Sequence, residues 1–363
     1  MRPSLVALVV LGVGITILWL RLRRDAFWVL VLASLVMLVV GEALCRALDL
    51  GAVERVEWSE SRADGELGGL LYEPGSVLVY TYPDNPRGYF DEANQVVGAI
   101  NSRGFRGPER DPDKPPGTER IAVIGDSFTL GIGVRDEDTL PACLEAILTS
   151  AGADVEVLNF GLSGANAHDY AGLLENRALG YEPDVVILVL FLNDAGQAST
   201  TSLLNSPRCF GRLRRLSRLA NAVGEIVERP AVHRELVERY TCAYSDSSEG
   251  WLVMQEALES ASLTCSERGC RLLVALYPVL YRLDERYPFE SVHDRIRAFC
   301  ESRDLEFIDL RGAFDGCRGP ELWVHRLDQH PNEVAHKRAG ELLGAALLGN
   351  AFEDTRRMAP PPN

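Results

Sequence analysis

A short apolar run, "RIAVIG" (120–125), ends abruptly in the Asp126 and Ser127 of "GDSFTLG". Gly, Asp and Ser suit neither a strand interior nor a helix interior. A strand that stops at such a turn lifts one side chain to the carboxyl edge of a sheet, where open α/β proteins place their chemistry. Ser127 is therefore a candidate nucleophile. A serine hydroxyl attacks well only when an imidazole takes its proton, and the imidazole works best with a carboxylate on its other nitrogen. Late in the chain, "LDQHPNEVAH" (327–336) brings Asp328 and His330 together. Two further polar clusters directly follow apolar runs: Gly164 in "NFGLSGAN" (159–166) and Asn193 in "LFLND" (190–194). Each residue alone has an ordinary reading. A serine after a strand caps a turn or helix, an asparagine fills a turn, a glycine supplies positive φ, and a histidine packs in a core.

The elements that must position these residues are legible as an alternation. Apolar runs at 120–125, 155–160, 184–191, 271–279 and 305–310 are separated by amphipathic stretches near 139–151, 166–178, 249–268 and 290–302, with a last one near 332–348. Strands alternating with helices predict a parallel sheet covered on both faces. The expected architecture is α/β: a three-layer α/β/α sandwich with a mainly parallel five-stranded sheet, flavodoxin-like. In such a sheet the positions after the first three strands, Ser127, Gly164 and Asn193, converge on one edge. The domain is expected over 119–349, with an insertion at 195–247 that holds a possible helix at 232–240 and could act as a lid or substrate wall. Before it, 46–118 reads as an irregular lead-in rich in Gly, Pro and charge; after it, 350–363 reads as a disordered tail.

Ser127, Gly164, Asn193 and His330, in that chain order and each at a strand end or before the last helix, resemble the four blocks of the SGNH, or GDSL-like, hydrolase family. The resemblance covers about residues 119–349, and "GDSFTLG" is its most specific part. It implies a serine esterase or acyltransferase that needs no metal or other cofactor. Ser127 would be the nucleophile, His330 the base and Asp328 its carboxylate partner, with the N–H groups of Ser127 and Gly164 and the side-chain amide of Asn193 forming an oxyanion hole. Two departures stand out. Phe191 occupies the place of the glycine in the family's GxND block, which narrows the space beside Asn193. The aspartate lies two residues before the histidine, whereas the family commonly has DxxH. The DxH spacing is similar to that of alginate acetyltransferase-like members of the wider group. Asp126 and Asp194 are expected to make local backbone bonds, Asn332 to cap the last helix, and His336 to be structural.

Upstream, Pro3–Leu20 and Ala26–Cys45 are apolar stretches joined by "RLRRD", with Glu42 as the one charge inside them. Their lengths predict two transmembrane helices over 1–45, and Arg21, Arg23 and Arg24 place the connector in the cytoplasm and the catalytic domain outside it. A net charge of −15 argues against nucleic acid as a partner, because gripping phosphates takes clustered Lys and Arg. The expected partners are an ester-bearing small molecule, lipid or glycan, and the membrane. The eight cysteines form no CxxC pair, so a structural zinc site is not expected; Cys209 with Cys242, both in the insertion, is the favoured disulfide. Three functions remain in play: an ester hydrolase, an O-acyltransferase acting on an envelope sugar, and a non-catalytic polysaccharide-binding module. A nucleotide site at "VIGDSFTLGIG" is disfavoured, since the GxGxxG turn is missing.

Overall fold

The structure, a computed structural model, describes residues 24–48, 50, 54–63, 69–195, 213–283 and 287–358. It divides into two compact units, Met1–Glu54 with Ser206–Val232, and Arg55–Asn205 with His233–Asn363. In chain order, α1 (Arg24–Ala47) is followed by three strands, β1 (Glu57–Ser59), β2 (Val77–Thr81) and β3 (Gln95–Ala99). Next come β4 (Glu119–Gly125), α2 (Ser127–Leu130), α3 (Leu140–Ser150), β5 (Val155–Gly161), α4 (Ala167–Asn176) and β6 (Val185–Leu190). The second half holds α5 (Leu213–Leu216), α6 (Arg218–Ala243), α7 (Glu249–Arg268), β7 (Arg271–Leu276), α8 (Glu290–Ser302) and β8 (Glu306–Asp309). A hairpin of β9 (Trp323–His325) and β10 (Asp328–Pro331) then leads into α9 (Glu333–Met358).

The larger unit is built on a five-stranded sheet in the order β5-β4-β6-β7-β8, parallel throughout. Its strands are Val-, Ile- and Leu-rich, and β6 is buried along its whole length, as a strand must be when helices cover both faces. On one side α3 packs on β5 and α9; elsewhere α4 packs on β4 and α7, α7 on β7, and α8 on β8. The chain leaves β4 toward β5 on one side and later returns to place β6 on the other. The order therefore reverses at β4, and the crevice at such a reversal is where open α/β sheets hold ligands. Gly125, Gly161 and Val189 lie level in register, so the turns after β4, β5 and β6 rise from one edge.

The stretch expected to be an irregular lead-in instead contains an antiparallel sheet, β1-β2-β3. Its Leu78, Tyr80 and Val96 belong to the same continuous core as β4 and β6. The abundant Gly and Pro around it mask the alternation in "VLVYT", whose even positions Leu78 and Tyr80 point inward. The insertion differs too, holding α5 and a 26-residue α6 with Pro230 inside it. The last helix runs to Met358, into the segment expected as a tail. Strand β7 stops at Leu276, earlier than the expected 279, because Pro278 can donate no ladder hydrogen bond.

Within the smaller unit, Ala26–Ala47 is long and apolar enough to cross a membrane or to serve as a signal sequence, and most of its apolar side chains are exposed, with Cys45 buried. The first apolar stretch, 3–20, lies outside the described residues, and among the described residues one helix is a candidate span. The proposed Cys209–Cys242 pairing also falls outside them through Cys209; Cys242 and the other described cysteines are free thiols.

Candidate active site

At the end of β4 the backbone turns directly into α2. Gly125 makes this possible, because a Cβ there would lie 2.2 Å from Thr129 Oγ1 and 2.9 Å from the Val189 carbonyl. Asp126 caps α2, its Oδ1 accepting the Phe128 N–H at 2.8 Å. Ser127 follows as the first helical residue, with its side chain partly accessible. Arg106 braces the far end of this turn. Its buried guanidinium donates to the carbonyls of Leu130, Gly131 and Val134 and pairs with Asp136 at 2.7 Å.

Asp328 and His330 reach the serine from β10. Alternate residues of a strand share a face, so a spacing of two sets both side chains toward Ser127. His330 Nε2 lies 3.0 Å from Ser127 Oγ, and His330 Nδ1 lies 2.5 Å from Asp328 Oδ1. A carboxylate only accepts, so Nδ1 carries the proton and the Nε2 lone pair faces the serine hydroxyl. Asp328 also accepts the His330 backbone N–H at 3.2 Å and, on Oδ2, the Tyr82 hydroxyl at 2.8 Å. Burial favours neutral forms of Asp328 and His330. In both cases their mutual attraction and hydrogen bonds prevail: the Asp328 carboxyl sits below its ordinary value, and the His330 imidazole sits above 6.5, helped by Asp126 and Glu60. Burial, and then the charge of Asp328, hold the Tyr82 hydroxyl well above its usual range, keeping it a neutral donor.

Asn193 lies beside the turn, its Nδ2 donating to Asp126 Oδ2 at 3.4 Å, the same oxygen that Ser127 Oγ approaches at 3.5 Å. Its neighbour Asp194 is buried and accepts the Tyr170 hydroxyl at 2.8 Å and the Phe191 N–H at 2.9 Å, so its bonds lock the turn that presents Asn193. Burial raises the carboxyls of both Asp126 and Asp194, the latter further because Asp126 lies close by. Gly164 occupies the loop after β5 with φ +86°, a conformation glycine adopts freely, and the Ser163 carbonyl before it accepts from Arg62. The fold thus brings Ser127, Asp328, His330 and Asn193 together and sets Gly164 on the same sheet edge.

The walls are aromatic. Phe128 lies 4.1 Å, ring to ring and tilted by 31°, from Phe191, the residue standing where the family has glycine, and meets Tyr277 at 5.2 Å and His330 at 5.5 Å. On the open side Trp58, 43% exposed, sets its ring 5.8 Å from that of His330. Trp58, Tyr82 and Arg106 were missed in reading the sequence, all three lying in the stretch expected to be irregular. For Tyr82 the signal was present: it continues the inward-facing series Leu78, Tyr80. His336 is buried in α9, and burial, followed by the positive charges of Arg106 and His330, pushes its imidazole down to about 3.

Residues 123–338 match the GDSL-like Lipase/Acylhydrolase family. No curated protein matches the chain. Solved structures that resemble it include an alpha/beta hydrolase from the metagenome of Lake Arreo, Spain, at 17% identity, covering 64% of this chain and 94% of that one with a TM-score of 0.40. Others are a catalytic mutant of an acetylxylan esterase from Geobacillus stearothermophilus (16% identity, 64% and 93% coverage, TM-score 0.39) and a two-domain esterase active on acetylated mannans (12%, 68% and 52%, 0.40). Because the family match spans more than half of the chain, the protein belongs to the GDSL-like lipase/acylhydrolase family and is an ester hydrolase of the SGNH type.

Proposed function

We propose that the protein is a membrane-anchored serine esterase that removes a short acyl group, such as acetyl, outside the cytoplasm. The observation that carries this reading is the 3.0 Å approach of His330 Nε2 to Ser127 Oγ, with Asp328 on the opposite nitrogen. Ser127 Oγ attacks the ester carbonyl as its proton passes to His330 Nε2. The imidazolium so formed is stabilised by Asp328, which stays ionised. Charge on the carbonyl oxygen is met by the N–H groups of Ser127 and Gly164 and by the Asn193 amide. The C–O bond then breaks, the alcohol leaves with the proton from His330, and an acyl-Ser127 remains. Water, deprotonated by His330, attacks that ester and releases the acid and free Ser127.

The strand order and the helix groups on the sheet support a three-layer, flavodoxin-like arrangement for this catalytic domain. The packed rings of Phe128 and Phe191 next to Ser127 favour a short acyl group. Trp58 offers a flat apolar face at the mouth, suited to the ring of a sugar. Anchoring and orientation rest on the apolar helix α1 and on the arginines before it. The test is turnover of p-nitrophenyl acetate and of acetylated oligosaccharides by the purified protein, alongside Ser127→Ala. Loss of both activities and of fluorophosphonate labelling in the variant is the expected result; equal turnover by variant and parent refutes it.

A second reading, O-acyl transfer to a sugar hydroxyl in place of water, is favoured by Trp58 and by the DxH spacing. Mass spectrometry of glycans incubated with an acyl donor separates the two by whether acylated product or only free acid accumulates.

A further inference from the structure

The insertion carries an apolar face that stands exposed among the described residues. In α6, Val223, Ile226 and Val227 recur at spacings of three and four and share one side of the helix, while Arg218 and Glu225 lie opposite. Ile226 is 71% exposed and Val227 57%; Leu216, at the end of α5, is 74% exposed. An exposed apolar helix face of this kind marks a contact surface. What it contacts follows from how the segment is tied to α1.

Glu42 is the one acidic residue in the apolar body of α1, and a carboxylate there needs partners. It finds them at the start of α6. Its Oε2 accepts the Ser217 hydroxyl at 2.8 Å and the Leu219 N–H at 3.0 Å, and its Oε1 accepts the Arg218 N–H at 3.2 Å. These are N–H groups that a helix start leaves without intrahelical partners. Ser217 Oγ in turn accepts the Ala220 N–H at 3.0 Å, and Arg46 bonds both Glu42 and the Leu216 carbonyl. Close by, the Leu219 side chain lies within 3.1 Å of where a Cβ on Gly41 would be, so α6 starts directly against α1. The polar side of the segment is satisfied internally: Arg214 bonds Asn221 at 2.7 Å and Glu228 at 2.6 Å, all three buried.

We infer that residues 213–227 form an amphipathic membrane-contacting segment, docked on the carboxyl end of α1 and laying Leu216, Val223, Ile226 and Val227 into the lipid. This rests on the reading of α1 as a membrane span. The exposed apolar surface of α1 runs from Trp28 to Leu44, and α6 begins beside Gly41, Glu42 and Arg46 near its end, so one hydrocarbon environment serves both. A helix with one apolar side, a satisfied polar side and a docked end is the form that lies in the interface plane. The insertion then anchors at the membrane through residues 213–227.

The experiment uses the full chain in phosphatidylcholine vesicles with a photoreactive benzophenone amino acid placed at Ile226, at Leu216, at Val36 in α1 or at Glu225. After irradiation, lipid adducts are read by mass spectrometry, and retained ester hydrolysis verifies folding. The expected result is lipid adducts at Ile226, Leu216 and Val36 and none at Glu225. Adducts at Val36 with none at Ile226 or Leu216 overturn the inference and leave the span standing. Absence at all sites overturns both. Protein cross-links in place of lipid adducts at Ile226 and Leu216 assign the face to a protein partner and also overturn it.

Discussion

The Tyr82 hydroxyl donates to Asp328 Oδ2 at 2.8 Å, on the side of the carboxylate opposite His330. In the proposed mechanism Tyr82 is a positioning residue, sharing the Asp328 charge and holding the plane of the carboxylate. Tyr82→Phe is expected to lower kcat/KM by about tenfold to a hundredfold, the worth of roughly 1.5 to 3 kcal/mol for a hydrogen bond to a charged group. With its charge no longer shared, Asp328 attracts the imidazolium more strongly, so the acid limb of the pH profile moves to higher pH. A lower rate with the limb unmoved would reduce Tyr82 to a packing role.

In the proposed mechanism His330 must be neutral to accept the serine proton, and its imidazole sits above 6.5 despite burial, through Asp328 first and then Asp126 and Glu60. Activity is therefore expected to fall as pH drops through a value above 6.5, read as the acid limb of kcat/KM. Asp328→Asn removes the main opposing charge, leaving burial to act. The limb then moves to lower pH while kcat falls by about 10⁴.

His336 works in the other direction. Its imidazole is neutral in the folded chain and held at about 3, while the unfolded chain protonates it near 6.5. The unfolded state thus binds the extra proton between those values, so the stability this group contributes is complete above 6.5 and drains away toward 3. The His330 contribution has the opposite sign; it is complete below 6.5 and is lost as pH rises through its folded value. Melts from pH 7 downward are expected to lose about 1.4 kcal/mol per pH unit from His336, and His336→Leu to flatten that slope.

Phe191→Ala opens the space against Phe128. Across a p-nitrophenyl ester series, the preference is expected to move from acetate toward butyrate and longer chains. The same variant should lose about 3 to 5 kcal/mol of stability in denaturant titration, because it empties a buried aromatic site. Unchanged chain-length preference would remove Phe191 from the acyl pocket.

What could be read in advance was whatever a periodic pattern or a strand-end turn announces. The runs of β4, β5 and β6 are continuous because both faces are covered, and the polar turn after each stands out against them. Asp328 and His330 were legible as a pair, but their common orientation follows from β10, a four-residue strand too short to show a pattern. Trp58 sits on a three-residue strand with all positions exposed, so neither alternation nor burial could mark it. Arg106 was invisible for another reason: its importance lies in three carbonyls of a turn more than twenty positions away. Helix α5 and the first half of α6 were obscured because their polar residues satisfy one another and their apolar ones face outward.

The small antiparallel sheet ahead of β4 has a practical corollary for anyone cutting the chain. Family resemblance begins at residue 123, yet the carboxylate's second donor, the ring at the mouth and the brace under the nucleophile are all supplied before it. A recombinant fragment started at the motif boundary would keep every signature residue and still be a crippled enzyme, whereas one started upstream of Trp58 would carry its own scaffolding.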